Sequence, residues 1–144
     1  MSVAEILKRK GTVVITVDPD VPAQTFARLL QKEGIGAMVV KNPDGSIAGI
    51  ISERDLAYGL ATHGSNLGHC RVSELMTKTV ITCSPSDSLS KIMKVMTERR
   101  IRHLPVLDGQ ALVGIVTIGD VLKFRLEETQ MEAAVLRDYA IARG

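Results

Sequence analysis

At 144 residues, 45% apolar and 24% charged, the chain has the make-up of one ordinary domain or two very small ones, which excludes disorder and a collagen-like repeat. Only 3% of its residues are aromatic and none is Trp, so any core must be aliphatic. The net charge of +2 comes from 18 basic and 16 acidic residues that are interspersed, without the basic, aromatic-studded stripe of a nucleic-acid binder.

The opening stretch MSVAEILKRKG lacks the apolar segment of a secretion signal, and no apolar run approaches the roughly 20 residues that span a bilayer. Two cysteines, Cys70 and Cys83, are too few for a disulfide framework and fit a reducing compartment. A soluble, cytoplasmic protein without a membrane partner is expected.

In chain order, a short amphipathic start at Val3–Leu7 is followed by a β-branched strand over Thr12 to Val17. Phe26, Leu29 and Leu30 then take helical spacing, closed by Gly34 as the residue after the helix. Two apolar runs, Ala37–Val40 and Ile47–Ser52, flank Asn42-Pro43-Asp44-Gly45, and a helix begins at Ser52. The series then starts again. Val72–Met76 matches the opening segment, Thr79 to Thr82 the strand, and Leu89, Ile92, Met93 and Met96 the helix. Runs at His103–Leu107 and Leu112–Thr117 flank Asp108-Gly109, a strong hairpin signal, and a last helix begins at Thr117. The copies lie 65–69 residues apart, the offset drifting only at loops, so the chain is a duplication. Its strands are almost continuously apolar, which calls for cover on both faces. The expected pieces are 1–66, 67–126 and a C-terminal helical extension over 127–144.

The best-matched stretch is Gly49-Ile50-Ile51-Ser52-Glu53-Arg54-Asp55 against Gly114-Ile115-Val116-Thr117-Ile118-Gly119-Asp120. The hydroxyl-x-x-Asp string supports two readings. One is a capping box at a helix start, with Asp favoured by the helix dipole. The other is a carboxylate accepting two vicinal ribose hydroxyls, a task suited to an acceptor-only group. Phosphates would then lie toward cations such as Arg54, Arg102, His103 or the Lys8-Arg9-Lys10 cluster.

This tandem motif, the Asp-Pro or Ser-Pro turn after each β-branched strand, and Ile101-Arg102-His103-Leu104-Pro105-Val106 resemble paired cystathionine-β-synthase (CBS) domains, a Bateman module. The resemblance covers about Val3 to Leu126. It implies an α/β (α+β) fold of two β-α-β-β-α repeats packed with pseudo-twofold symmetry. It also implies regulatory binding of AMP, ADP, ATP, NAD(H) or S-adenosylmethionine in clefts between the copies. Ser52, Arg54, Asp55, Thr117 and Asp120 would hold ribose and phosphate. The base and remaining phosphate would meet Lys10, Thr12, Val14, Ile15, Thr16, Gly36, Ala37 and Met38. Their counterparts are Thr77, Val80, Ile81, Thr82, Arg102, His103, Leu104 and Pro105. The copies differ at Gly36-Ala37 against Arg102-His103, so unequal sites are expected.

Other signals carry less. His63, His69, His103, Cys70 and Cys83 match no metal-ligand spacing. No phosphate-binding loop or nucleophile elbow occurs, and Ser and Cys residues lack a base partner, so neither a catalytic group nor a catalytic cofactor is expected. Met76, Met93 and Met96 read as core filler. After Asp120, Leu122, Leu126, Thr129, Ala133, Leu136 and Ala140 are spaced 4, 3, 4, 3, 4, a heptad pattern. That helix either folds back on its own module or packs on a second subunit, and pairing in related modules favours a homodimer. The expected function is a nucleotide sensor whose output passes to an unidentified regulated protein. The alternative is a structural dimerisation module that binds nothing.

Overall fold

The computed structural model describes residues 1–143; Gly144, the last residue of the expected extension, lies outside the described residues. The elements run α1 (Val3–Lys10), β1 (Thr16–Val17), α2 (Ala23–Glu33), β2 (Ala37–Lys41), β3 (Ile47–Ser52) and α3 (Glu53–His63). A 3₁₀ turn at Gly64–His69 leads to α4 (Val72–Leu75), α5 (Leu89–Arg99), β4 (His103–Asp108), β5 (Ala111–Thr117) and α6 (Ile118–Arg143). The mixed α/β composition and the repeated element order agree with the sequence.

The chain divides into two compact units whose limits differ from those of the repeats. One is contiguous, Val13–Ile81; the other is split, joining Met1–Thr12 to the chain from Thr82 onward. The opening segment of each sequence copy is therefore built into the unit that carries the other copy's hairpin. In the contiguous unit β1 pairs parallel to β2, and β2 antiparallel to β3, around a core of Val17, Phe26, Leu30, Met38, Val40, Ile51 and Val72. In the split unit β4 and β5 form an antiparallel hairpin, and Ile6, Ile92, Met96, Leu104, Val106 and Val121 are buried.

Both opening strands are shorter than expected. Only Thr16 and Val17 pair, with Val39 and Val40, and the second copy keeps a single bridge, Cys83 to Val106, in place of Thr79 to Thr82. β-Branched residues favour extended chain, but a ladder also needs a neighbouring strand, and β2 and β4 meet only the last residues of each run. The second hairpin loop is Gly109-Gln110, one residue beyond the expected Asp108-Gly109, because Asp108 pairs with Ala111. Gly109 has φ 63°, which suits the first loop position of a II′ turn.

Gly34 ends α2 in the left-handed region, φ 65° and ψ 37°, and its N–H donates to the Leu30 carbonyl. Arg100 ends α5 in the same conformation at φ 53°. A Cβ on Gly34 would meet nothing within 4 Å, so Gly34→Ala tests the backbone term alone. It is expected to cost about 1–2 kcal/mol in urea unfolding, the strain of an L-residue held left-handed.

Candidate functional site

In the contiguous unit, hairpin register sets Ala37 opposite Ser52, and the Gly36 carbonyl accepts the Glu53 N–H at 3.1 Å. This brings Gly36, Ala37, Ser52, Arg54 and Asp55 to one end of the hairpin, where β3 turns into α3. Ser52 is extended (φ −131°, ψ 173°) and the next residue is helical, which leaves the first-turn N–H groups in need of acceptors. Asp55 supplies one: its Oδ2 accepts the Ser52 N–H at 2.9 Å, with the Ser52 hydroxyl at 3.4 Å. Its Oδ1 accepts the Thr77 hydroxyl at 3.2 Å.

The split unit repeats the plan. His103 pairs with Thr117, and the Arg102 carbonyl accepts the Ile118 N–H at 2.9 Å. Asp120 and Thr117 complete a capping box: Asp120 Oδ2 accepts the Thr117 N–H at 2.9 Å, and the Asp120 N–H donates to Thr117 Oγ1 at 3.1 Å. Where Asp55 meets a hydroxyl, Asp120 meets a cation. Lys10 Nζ donates to Asp120 Oδ2 at 2.7 Å and to the Ile115 carbonyl at 2.9 Å. Burial pushes the Asp120 carboxyl up, but the Lys10 ammonium and the Thr117 donors together outweigh it and hold the group below its ordinary range.

The motif glycines explain why the opening segments sit here. A Cβ on Gly114 would stand 2.5 Å from Leu7 Cδ2, and one on Gly49 would stand 2.7 Å from the Thr77 carbonyl oxygen and 2.9 Å from Met76 Sδ. Leu7 and Met76 occupy matching places in the repeat, so each opening segment presses an apolar side chain onto a bare strand glycine. A polar residue just beyond it then reaches the motif aspartate, Lys10 in one case and Thr77 in the other. Glycine and aspartate thus clasp the segment from either side.

The expected base-pocket residues divide by burial. Val14, Ile15, Val80 and Ile81 are half-buried, and Thr12, Thr16 and Thr82 are exposed. Met38 and Leu104 are fully buried in the cores, and Ala37 and Pro105 are buried too, so their side chains serve packing. The Pro105 carbonyl accepts the Cys83 N–H at 3.0 Å, holding the remnant strand in place.

The sequence did not show that Leu7 and Met76 press on the motif glycines, and it grouped Arg9 with Lys8 and Lys10 as cations for a phosphate. A glycine at the same motif position in both copies was the available signal for the first two. Arg9 lies 4.8 Å from the Phe124 ring centroid and pairs with Glu127 at 2.5 Å, while Lys10 holds Asp120. Asp120, Phe124 and Glu127 follow one another at i, i+4 and i+7, so the end of α1 grips one face of the first two turns of α6.

Among the described residues no group of three or more His, Cys, Asp or Glu could hold a metal ion. Burial, and then the Asp87 charge, push the Cys83 thiol up to about 11, which leaves it protonated and a poor nucleophile at neutral pH. No described helix is long and apolar enough to cross a membrane.

Comparison with known proteins agrees with this architecture. The CBS domain family matches twice, over residues 3–62 and 72–127. The crystal structure of the CBS-domain protein ATU1752 from Agrobacterium tumefaciens is 42% identical, with a TM-score of 0.85 over 86% of this chain and 92% of that one. The CBS domain pair of protein MJ0100, solved in complex with 5′-methylthioadenosine and S-adenosyl-L-methionine, is 27% identical. Its TM-score is 0.78 over 89% of this chain and 98% of that one. Among sequences, an uncharacterized 33.4 kDa protein of Thermofilum pendens is 39% identical over 85% of this chain, which spans 41% of that relative's length. The mitochondrial CBSX3 protein of Arabidopsis thaliana is 29% identical over 96% of this chain and 71% of its own length. Two family matches over a chain that builds two such hairpin-and-helix units place it in the CBS-domain family, as a tandem pair.

Proposed function

We propose that this CBS pair is a regulatory module that binds adenosine-containing ligands by their ribose, at Asp55 and at Asp120, and passes the bound state to a partner protein. The observation that carries this reading is the recurrence of one carboxylate at one place in both units. Each stands at a helix start, beside an exposed or half-exposed hairpin end formed by Gly36 or Arg102. The ligands in the MJ0100 pair, both adenosine derivatives, are consistent with it. AMP, ADP, ATP, NAD(H) and S-adenosylmethionine all present the vicinal diol such a carboxylate would accept. The role is read as regulatory rather than catalytic, in keeping with the CBS-domain match over both halves of the chain. A ribose that draws Asp120 away from Lys10 would disturb the neighbouring Arg9 grip on Phe124 and Glu127, and so reach α6. Such a ligand acts only through its different affinity for the two arrangements.

The test is thermal unfolding of the purified, nucleotide-free protein against AMP, ADP, ATP, NAD, NADH and S-adenosylmethionine. A ligand at 100 times its dissociation constant should stabilise the fold by about 2.7 kcal/mol. Asp55→Asn or Asp120→Asn should remove that gain while the protein stays folded. No gain with any member would favour the structural reading. That reading has its own support, since both carboxylates already cap helices and bind the opening segments.

A further inference from the structure

The two units differ most sharply at the residues that lead into their hairpins. Lys32-Glu33-Gly34-Ile35-Gly36 in the contiguous unit corresponds to Glu98-Arg99-Arg100-Ile101-Arg102 in the split one. The first two residues of each string carry opposite charges that cancel, but both glycines of the one are arginines in the other. Arg100 and Arg102 are exposed.

Arg100 holds its place against the preference of its backbone. It ends α5 in the left-handed region, at φ 53° and ψ 44°, and is the sole residue other than glycine with a positive φ among the described residues. Gly34 takes the same conformation without strain, which is why helices that end this way favour glycine. A cation near a helix C-terminus is favourable, but Arg99 in the last turn of α5 already supplies one. Strain of this kind persists where the side chain has a task outside the backbone.

The surrounding charges indicate the task. The Arg102 carbonyl accepts the Ile118 N–H at 2.9 Å, at the start of the helix that carries Asp120. Two residues of chain span at most about 7 Å, so Arg100 lies close to that same helix start. Lys10 is already there, 2.7 Å from the Asp120 carboxylate. Arg9 and Glu127 pair with each other, which leaves Lys10, Arg100 and Arg102 around the motif's one acidic residue. By formal charge that end of the split unit is basic. At the matching end of the contiguous unit Arg54 and Lys78 are balanced by Glu53 and Asp55, and the hairpin is entered through Gly34 and Gly36. A neutral donor, the Thr77 hydroxyl, meets the carboxylate there in place of an ammonium.

We infer that the two carboxylate sites sort their ligands by charge. The Asp120 site, through Arg100, Arg102 and Lys10, takes adenosine that carries a phosphate chain; the Asp55 site takes adenosine derivatives with little or no net negative charge. The inference rests on the ribose reading given above. Guanidinium forks match phosphate oxygens two at a time. A triphosphate offers the two arginines and the lysine separate oxygens, so it gains more from them than a monophosphate does.

The test is calorimetric titration of ATP, AMP and 5′-methylthioadenosine, without magnesium, into two variants of the full chain. Asp55→Asn leaves the Asp120 site, and Asp120→Asn leaves the Asp55 site. The Asp55→Asn protein should bind ATP at least about tenfold more tightly than 5′-methylthioadenosine, with AMP between them, and should lose that advantage as salt is raised. The Asp120→Asn protein should bind ATP no more tightly than 5′-methylthioadenosine. Arg100→Gly added to Asp55→Asn should weaken ATP by about tenfold and leave 5′-methylthioadenosine unchanged. It should also raise the urea midpoint, because the strain leaves with the charge. Equal ligand preferences at the two sites overturn the inference, as does an Arg100→Gly change that keeps ATP affinity intact or lowers the urea midpoint. Wild-type protein that binds none of the three ligands overturns the ribose reading itself, and this inference with it.

Discussion

Gly49→Ala should destabilise the protein by about 1–3 kcal/mol, the usual cost of forcing extra volume into a packed place, and Gly114→Ala should cost clearly less. The new methyl at position 49 meets a main-chain atom, the Thr77 carbonyl oxygen at 2.7 Å. That oxygen accepts the Ile50 N–H at 3.0 Å, and the Thr77 N–H donates to the Ile50 carbonyl at 2.8 Å, so retreat loosens a reciprocal pair of hydrogen bonds. At position 114 the methyl meets only the Leu7 side chain, at 2.5 Å and 3.0 Å, which can turn on its own bonds. Urea unfolding of both variants measures the difference. Equal losses would mean that the opening segments are held with equal stiffness, contrary to the contacts described.

Lys10→Met should separate the two aspartates chemically. Lys10 and Asp120 are each partly exposed, 32% and 22%, so breaking their pair should cost less than about 1 kcal/mol near neutral pH. The effect on pH dependence is more distinctive. Asp120 is held below its ordinary range in the fold, so its contribution is present above the ordinary carboxyl value and is lost as pH falls through the lower folded value. Without Lys10 that depression shrinks, and acid unfolding followed by circular dichroism should show a shallower loss of stability on the acid side. If the proposed ligand reading holds, the change should also weaken AMP at the Asp120 site by about tenfold or more, through loss of a charge-assisted contact to phosphate. The neutral 5′-methylthioadenosine should be unaffected. Calorimetric titration in an Asp55→Asn background isolates that site. Equal losses for both ligands would show that Lys10 acts only by placing Asp120.

The duplication, both hairpins and the starts of α3 and α6 were legible because each rests on local chemistry. Gly34 had to tolerate a left-handed backbone, an Asp-Gly pair marked the second hairpin, and a hydroxyl three residues before an aspartate marked each helix start. What escaped was non-local. Nothing about Leu7 or Met76 announces that it lies against a glycine of the other copy's motif, since that contact depends on how the chain returns through space. The short opening strands failed for the same reason: Val13 and Val14 are good strand formers whose neighbours do not reach them. The candidate site was partly legible. Repetition singled out Asp55 and Asp120, which the fold sets at matching helix starts, whereas Met38 and Leu104, expected at the base, have fully buried side chains.

The crossing of opening segments between sequence copies also bears on the order in which the protein can form. Val13–Ile81 is uninterrupted, so all its contacts are available once that stretch has left the ribosome. The other unit needs Met1–Thr12 and a hairpin that begins at His103, about ninety residues further along the chain. During synthesis α1 therefore waits, its Val3, Ile6 and Leu7 without the strands that will cover them, until β4 and β5 arrive. Closing the second unit across that separation is therefore the late step of assembly, whereas the intervening unit can fold first.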